Sequence, residues 1–208
     1  VIRPDFSLLD FGNITCEDGN LENTQNELAK NVSKVLLKGG KSLVLGGGHE
    51  VTFGHYRGVK TAFQEQKIGI INFDAHFDNR QPEKGVGPSS GTGFWQIAQE
   101  GPINSLHIGI QRNSNTLKLF DTAHQFGMKY ILADELFFEN LPSIYERVNE
   151  LAESDHSPAW SGGFFDAARS ATPPALVYQY GSEHPLNTRL PGAPDDKFID
   201  SRCMKHKR

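Results

Sequence analysis

The sequence predicts an α/β fold, namely a three-layer α/β/α domain with a mainly parallel sheet. Short apolar segments alternate with amphipathic segments along residues 7–153, which is the pattern of strands joined by helical crossovers. The segment Ile68–Phe73 is almost wholly apolar, as expected for a strand covered on both faces. The polar residues Asp74, His76 and Asp78 follow it closely. Since ligand sites of such sheets lie beyond the carboxyl ends of the strands, this order also predicts where a site lies.

The first part of the predicted domain contains three strands and two helices. The first helix is indicated by apolar residues at spacings of three and four, and Gly39 and Gly40 end it. The second helix begins after a glycine-rich corner at residues 46–48. In chain order, the predicted elements are strand Ser7–Ile14, helix Leu21–Lys38, strand Ser42–Leu45, helix Glu50–Gln66 and strand Ile68–Phe73.

A polar loop at residues 81–92 separates these elements from the rest. It is rich in Gly, Pro and Ser, and a long loop inside a compact domain is usually functional. The elements predicted after it are a short helix Phe94–Gln99, strand Ser105–Ile110, helix Asn115–Phe126, strand Met128–Ala133 and helix Pro142–Glu153. Pro142 suits the first turn of a helix, where its missing N–H costs little.

The composition excludes several classes of function. With 208 residues, the chain is long enough for one domain with a sizeable core. A net charge of -4, a pI of about 6.1 and a mean hydropathy of -0.47 argue against nucleic-acid and membrane partners. We therefore expect a small-molecule partner, with a homo-oligomer left open. Two cysteines and a first segment unlike a signal peptide favour the cytoplasm.

The amino-acid composition of the sequence changes after His156. Ile, Leu and Val become sparser there and Pro becomes denser, a shift toward the composition of disordered segments. We expect residues 1–156 to form a partial α/β domain and residues 157–208 to form an irregular tail. Because the chain opens on Val1 and loses its strand pattern after His156, we expect it to be incomplete at both ends.

The residues that follow the predicted strand Ile68–Phe73 suit a divalent metal ion. Asp74, His76 and Asp78 occupy alternate positions, so in extended backbone their side chains project to one side. His49 follows the glycine corner and would lie on the same edge. Carboxylates with a few imidazoles favour Mn²⁺ ahead of Zn²⁺. For residues 74–78 the alternative is a hydrogen-bonded strand end without a metal. For residues 46–49 the alternatives are a helix N-terminus that binds an anion and a tight turn with a surface histidine.

Three motifs resemble those of the ureohydrolase (arginase/agmatinase) superfamily. They are LGGGHEVTFG at residues 45–54, INFDAHFDNR at 71–80 and SSGTGFWQ at 89–96. Phe73, Arg80 and the Ser-Ser-Gly-Thr-x-Phe pattern make the chain most similar to the formimidoylglutamase branch. The resemblance covers roughly residues 7–156 and implies an arginase-like fold.

The resemblance also implies an activity and a set of site residues. His49 and Asp78 would bind one Mn²⁺, His76 a second, and Asp74 would bridge both, which makes Asp74 and His76 the catalytic residues. Two ions per site would activate water to cleave N-formimidoyl-L-glutamate into L-glutamate and formamide. Arg80, Ser89 and Ser90 would bind the substrate. An alternative role for Arg80 is a structural salt bridge to a metal carboxylate. The arginase branch places a proton-shuttling histidine where this chain has Phe94, which disfavours arginase.

One expected motif is missing from the sequence. Ureohydrolases carry a later Ser-x-Asp-x-Asp strand whose aspartates complete both metal shells, and no such strand follows His156. A change of reading frame near Ser157 would explain this. The chain is therefore expected to be weak or inactive, and the competing hypothesis is a non-catalytic fragment that binds at most one ion. A metallophosphoesterase is disfavoured, because in that family the Asp-x-His element precedes the Gly-Asn-His turn.

Overall fold

Four parallel strands form the sheet in the described part of this protein. The computed structural model describes residues 9–16, 19–46, 48–64, 68–153 and 160–161. Within these residues the sheet order is β3-β2-β1-β4, and every neighbouring pair is parallel. The strands are β1 Gly69–Phe73, β2 Asn104–Ile110, β3 Lys129–Leu132 and β4 Trp160–Ser161. The predicted parallel sheet is confirmed.

Five helices accompany the strands in the described part of the chain. They are α1 Leu21–Leu37, α2 Val51–Ala62, α3 Gly93–Gln99, α4 Leu117–Gln125 and α5 Leu141–Glu153. All five were predicted, with differences of a few residues at their ends. The side chain of Asn20 accepts a hydrogen bond from the Asn23 N–H at 3.1 Å, which caps α1. None of the described helices combines the length and apolar character needed to cross a bilayer.

The helices cover both faces of the sheet. Successive residues of a strand point to opposite faces, and Ile70 and Ile71 of β1 accordingly join two different cores. Ile70 packs with residues of α3 and α4. Ile71 packs with Leu151 of α5 and with strand residues Leu106, Ile108 and Ile131. This two-sided coverage confirms the predicted three-layer α/β/α arrangement.

Helices α1 and α2 approach each other closely at two glycines of α2. A Cβ atom at Gly58 would lie 2.6 Å from Cβ of Val32, and one at Gly54 would lie 2.8 Å from the carbonyl oxygen of Gln25. Because neither glycine has a side chain, the backbone of α2 can pack directly on α1. This contact matters for the site, because His49 lies just before the first residue of α2.

Two predicted strands differ from the structure. Ser42–Leu45 forms no strand beyond a single β-bridge at Leu43, and residues 9–14, the described part of the predicted strand Ser7–Ile14, contain no strand. The reason is the same in both segments. Leu43 and Leu45 are 57% and 68% exposed, and Leu9 and Phe11 are also exposed, so their apolar side chains gain no burial that would fix a strand register. Apolar residues alone were insufficient evidence for these two strands.

The predicted tail lies mostly outside the described residues. Of residues 157–208, the structure describes only Trp160 and Ser161. These two residues form β4, which pairs with Gly69 and Ile70 of β1. Residues 1–8 also lie outside the described part.

Candidate metal centre

The carboxyl end of β1 leads directly into the predicted metal motif. Phe73 pairs with Ile108 of β2, and the N–H of Asp74 then donates to the Ile108 carbonyl at 3.1 Å. The next carbonyl, that of Ala75, accepts from the N–H of Gln111 at 3.0 Å. The first part of the motif is therefore a loop that backbone hydrogen bonds hold against the end of β2.

The second half of the motif turns sharply at Asp78. Its φ of 45° is the only positive value at a non-glycine residue in the described part of the chain, and such strained conformations cluster at functional sites. The turn is held by the Asp78 carbonyl, which accepts from the N–H of Phe94 at 3.0 Å. Asn79 is buried, and its Nδ2 donates to the Leu119 carbonyl at 3.0 Å. These contacts direct the Asp78 carboxylate toward His49.

His49 reaches the motif from a loop and not from a sheet strand. Its side chain is 4% exposed, and its Nδ1 atom lies 3.2 Å from Oδ2 of Asp74. The same Nδ1 also forms a short contact with Oδ2 of Asp78. One ligand atom from each of these three residues lies within 4.8 Å of the others. The structure thus brings together three of the four predicted metal ligands.

His76 lies on the other side of Asp74. Its Nδ1 atom is 3.3 Å from Oδ1 of Asp74, and its side chain is 49% exposed. The backbone N–H of His76 donates to the same Oδ1 at 2.9 Å. One oxygen of the Asp74 carboxylate therefore faces His49 and the other faces His76. His76 does not belong to the three-residue group, but it shares a carboxylate with it.

The charges in this group are those of a cation site. Burial by itself acts to lower the pKa of His49, but hydrogen bonds and Coulomb attraction from Asp74 and Asp78 outweigh it and raise the pKa from 6.5 to about 9. Burial acts to raise the pKa of Asp74, yet the bonds with His49 and with the His76 N–H lower it overall. A proton on His49 therefore compensates part of the charge of the two carboxylates at neutral pH. The donor set of two carboxylates and an imidazole equally fits a divalent cation.

The ring of Phe94 packs against the ring of His49. The Phe94 ring is fully buried and lies edge-on to the His49 ring, with centroids 5.7 Å apart. On the other side it contacts the buried ring of His107 at 4.4 Å between centroids. The position where the arginase branch was expected to carry a proton-shuttling histidine is thus enclosed in the core in this chain.

The predicted substrate residues lie on two chain segments that a backbone hydrogen bond joins. The N–H of Arg80 donates to the carbonyl of Gly91 at 2.9 Å, which places Arg80 next to the turn that contains Ser89 and Ser90. Arg80 is exposed, and both serines are partly exposed. Within the described residues, Arg80 makes no ion pair with Asp74 or Asp78. The alternative structural role for Arg80 is therefore not seen.

Sequence reasoning missed the groups that hold the site together. Asn115 binds the backbone of the metal motif, and Asn79 joins the motif to the Leu119 carbonyl of α4. Gln25 links the loop of His49 to α3, because its Nε2 donates to the Glu50 carbonyl at 2.9 Å and its Oε1 accepts from Gln96 at 3.2 Å. Spacing along the chain carries no signal for such contacts. Only the three-dimensional arrangement identifies them.

A comparison with protein families identifies this arrangement. The model of the arginase family matches residues 2–161. The chain belongs to the arginase family. This match covers the sheet, the described helices and all of the predicted site residues.

Several curated relatives that are similar to this arginase-family chain are named formimidoylglutamases. It is 45% identical over 149 residues to the formimidoylglutamase of Geobacillus sp. strain WCH70, covering 71% of this chain and 45% of that protein. It is 41% identical over 172 residues to the Geobacillus thermodenitrificans formimidoylglutamase, covering 82% and 52%. The chain spans about half the length of the curated relatives it matches.

Solved structures agree with the arginase fold. The crystal structure of Trypanosoma cruzi formiminoglutamase with Mn²⁺ has a TM-score of 0.61 and 25% identity, over 68% of this chain and 48% of the other. The Bacillus subtilis formimidoylglutamase has a TM-score of 0.64 over 73% and 47%. Its identity is 21%, so this second likeness supports the fold alone.

Proposed function

We propose that this chain provides the metal-binding residues of a manganese-dependent formimidoylglutamase. The reaction is hydrolysis of N-formimidoyl-L-glutamate to L-glutamate and formamide, a step of histidine degradation. The observation that carries the proposal is the convergence of His49, Asp74 and Asp78, with His76 on the second oxygen of Asp74. The named relatives and the Mn²⁺ in the Trypanosoma cruzi structure support it.

Each site residue has a role that its position favours. His49 and Asp78 would hold one ion, His76 a second, and Asp74 would contribute one oxygen to each. Bound Mn²⁺ would supply Lewis acidity and lower the pKa of bound water. Because the carboxylates of Asp74 and Asp78 both face Nδ1 of His49, all three groups would be directed at the same ion. The strained turn at Asp78 maintains this direction.

The substrate would be held through its carboxylates. N-formimidoyl-L-glutamate carries two of them, and a guanidinium can bind one with two parallel hydrogen bonds. Arg80 is exposed and would take that role, while the hydroxyl groups of Ser89 and Ser90 would donate to the second carboxylate. We propose a cytoplasmic small-molecule hydrolase in which residues 1–156 act as one arginase-like domain.

Formamide release tests the proposal directly. Purified full-length chain is incubated with MnCl₂ and N-formimidoyl-L-glutamate, and formamide and glutamate are quantified. We expect weak release that depends on Mn²⁺ and is lost in D78N, whereas D121N, a matched change at an exposed residue of α4, keeps it. Arginine and agmatine in parallel reactions test for urea release, which an arginase- or agmatinase-type hydrolase would produce.

A second candidate function is non-catalytic binding of one metal ion. The observation that favours it is the size of the ligand group. Among the described residues, His49, Asp74 and Asp78 are the ones within reach of a single ion, and His76 is half exposed. Calorimetric titration separates the candidates. One Mn²⁺ per chain without formamide release supports binding alone, whereas two ions with release support the hydrolase.

A further inference from the structure

Asn115 makes three hydrogen bonds from one buried side chain. Its Oδ1 accepts from the N–H of Phe77 at 3.0 Å. Its Nδ2 donates to the carbonyl of Ala75 at 2.8 Å and to that of Gln111 at 2.7 Å. The residue is 8% exposed, so these bonds are formed away from bulk water. Both amide protons and one acceptor site are therefore used on backbone groups.

Two of the three partners of Asn115 lie on either side of His76. Ala75 precedes it and Phe77 follows it, so the amide of Asn115 bridges the backbone across this one residue. The N–H of His76 itself donates to Oδ1 of Asp74 at 2.9 Å. Hydrogen bonds at Ala75, His76 and Phe77 thus restrain the backbone that joins the predicted ligands Asp74 and His76.

The position of Asn115 in the chain explains why its side chain is available. It follows the short turn Arg112–Ser114 and precedes α4, and its own backbone is extended, with φ of -127° and ψ of 132°. It lies outside the hydrogen-bonding ladder of the helix. A planar amide with a donor and an acceptor matches one N–H and one C=O at once. A carboxylate of the same shape would place a second oxygen against two carbonyl oxygens.

We infer that Asn115 is a positioning residue for the metal site and acts through Asp74 and His76. The inference rests on the proposed function for the identity of the ion. Groups that orient metal ligands typically change metal affinity by about 10- to 100-fold when they are removed. Loss of the Asn115 amide therefore raises the Kd for Mn²⁺ about tenfold or more without removing any ligand.

Calorimetric titration of the full chain with MnCl₂ tests this inference. Wild type is compared with N115A, which removes the whole amide, and with N115D, which keeps Oδ1 but replaces the donor. N140D is the matched control, since the Nδ2 of Asn140 also donates to a backbone carbonyl, that of Glu135 at 3.0 Å, on the exposed surface. We expect a rise of about tenfold or more in Kd for both Asn115 variants and no change for N140D. A wild-type Kd in either variant that keeps its circular dichroism spectrum overturns the inference.

Amide hydrogen exchange in metal-free protein separates this inference from the proposed function. If wild type binds no Mn²⁺, the proposed metal site fails. The hydrogen bond from the Phe77 N–H to Asn115, here called the clamp, is still measured by the exchange rate of the Phe77 amide. The inference expects slow exchange there in wild type and exchange at least about tenfold faster in N115A, with Leu28 of α1 unchanged as reference. Fast exchange at Phe77 in wild type overturns the clamp even if neither variant folds.

Discussion

The Nδ1 atom of His49 lies 3.2 Å from Oδ2 of Asp74, and this contact joins the loop before α2 to the carboxyl end of β1. The two residues come from separate motifs, and Asp78 adds a second carboxylate to the same nitrogen. In this arrangement one nitrogen faces two carboxylate groups, where either a proton or a metal ion satisfies both. Competition between those two occupants determines how the site responds to pH.

Mn²⁺ binding is expected to release a proton from His49. The pKa of His49 is raised to about 9, so at pH 7 the ion must replace a proton that the folded chain already holds. The Kd for Mn²⁺ therefore falls about tenfold for each unit of pH between 6 and 8. Titration calorimetry in buffers of different ionisation enthalpy measures the proton count directly. A Kd that is constant over this range would contradict the assignment of His49 as a ligand.

Asp74→Asn is expected to have the largest effect on metal affinity. The substitution keeps the shape of the side chain but removes the charge that faces both His49 and His76. Because outer partners of a metal ligand already contribute about 10- to 100-fold, we expect a loss beyond that range in Mn²⁺ affinity. D121N on α4 serves as the control for removing one carboxylate. Equal affinities of the two variants would rule out a central role for Asp74.

Phe94→Leu is expected to destabilise the fold by about 1–3 kcal/mol. It removes two edge-on ring contacts, with His49 and with His107, and each such pair contributes roughly 0.5–1.5 kcal/mol beyond area burial. Urea unfolding at pH 7 measures the difference. Phe138→Leu is the matched control, because Phe138 is exposed and its replacement should change stability by less than about 0.5 kcal/mol. Similar values for both variants would refute the packing role of Phe94.

Acid is expected to destabilise the protein through two buried histidines. Burial lowers the pKa of His55 to about 4 and that of His107 to about 3, each from 6.5. Their stabilising contribution is complete above pH 6.5 and falls as pH drops toward 4, since only the unfolded chain takes up the protons. The free energy of unfolding then falls by about 1.4 kcal/mol per pH unit for each histidine. His49 adds no slope there, because it is protonated in both states below pH 6.5.

Urea unfolding between pH 6 and 4.5 checks this slope. His55→Gln should remove about half of the slope, whereas His124→Gln, at an exposed position, should leave it unchanged. The Nε2 atom of His55 lies 2.8 Å from Oγ of Ser42, and the amide of glutamine can replace that contact. If His55→Gln and wild type show the same slope, the acid sensitivity has another origin.

The elements that the sequence predicted well are those whose pattern is strong and local. Helices α1, α2, α4 and α5 have regular apolar spacing, and β1 and β2 are apolar segments buried on both faces. The wrong predictions are Ser42–Leu45 and the described part of Ser7–Ile14, whose residues are equally apolar. Val44 and Ile14 pack partly against the core between α1 and α2, but Leu43, Leu45, Leu9 and Phe11 stay exposed among the described residues. Composition reports what a segment can bury and not whether a partner is present.

The residue types of the site were determined by the sequence, because metal ligation depends on which side chains carry carboxylates and imidazoles and on their order. His49, Asp74, His76 and Asp78 were predicted from that order alone, and their assignment as ligands stays a prediction. Tertiary structure decided how these side chains face one another. It divides the oxygens of Asp74 between His49 and His76, turns Asp78 through a positive φ and holds the motif with Asn115. Such contacts join residues that are distant along the chain, so they depend on packing between elements that local sequence patterns do not encode.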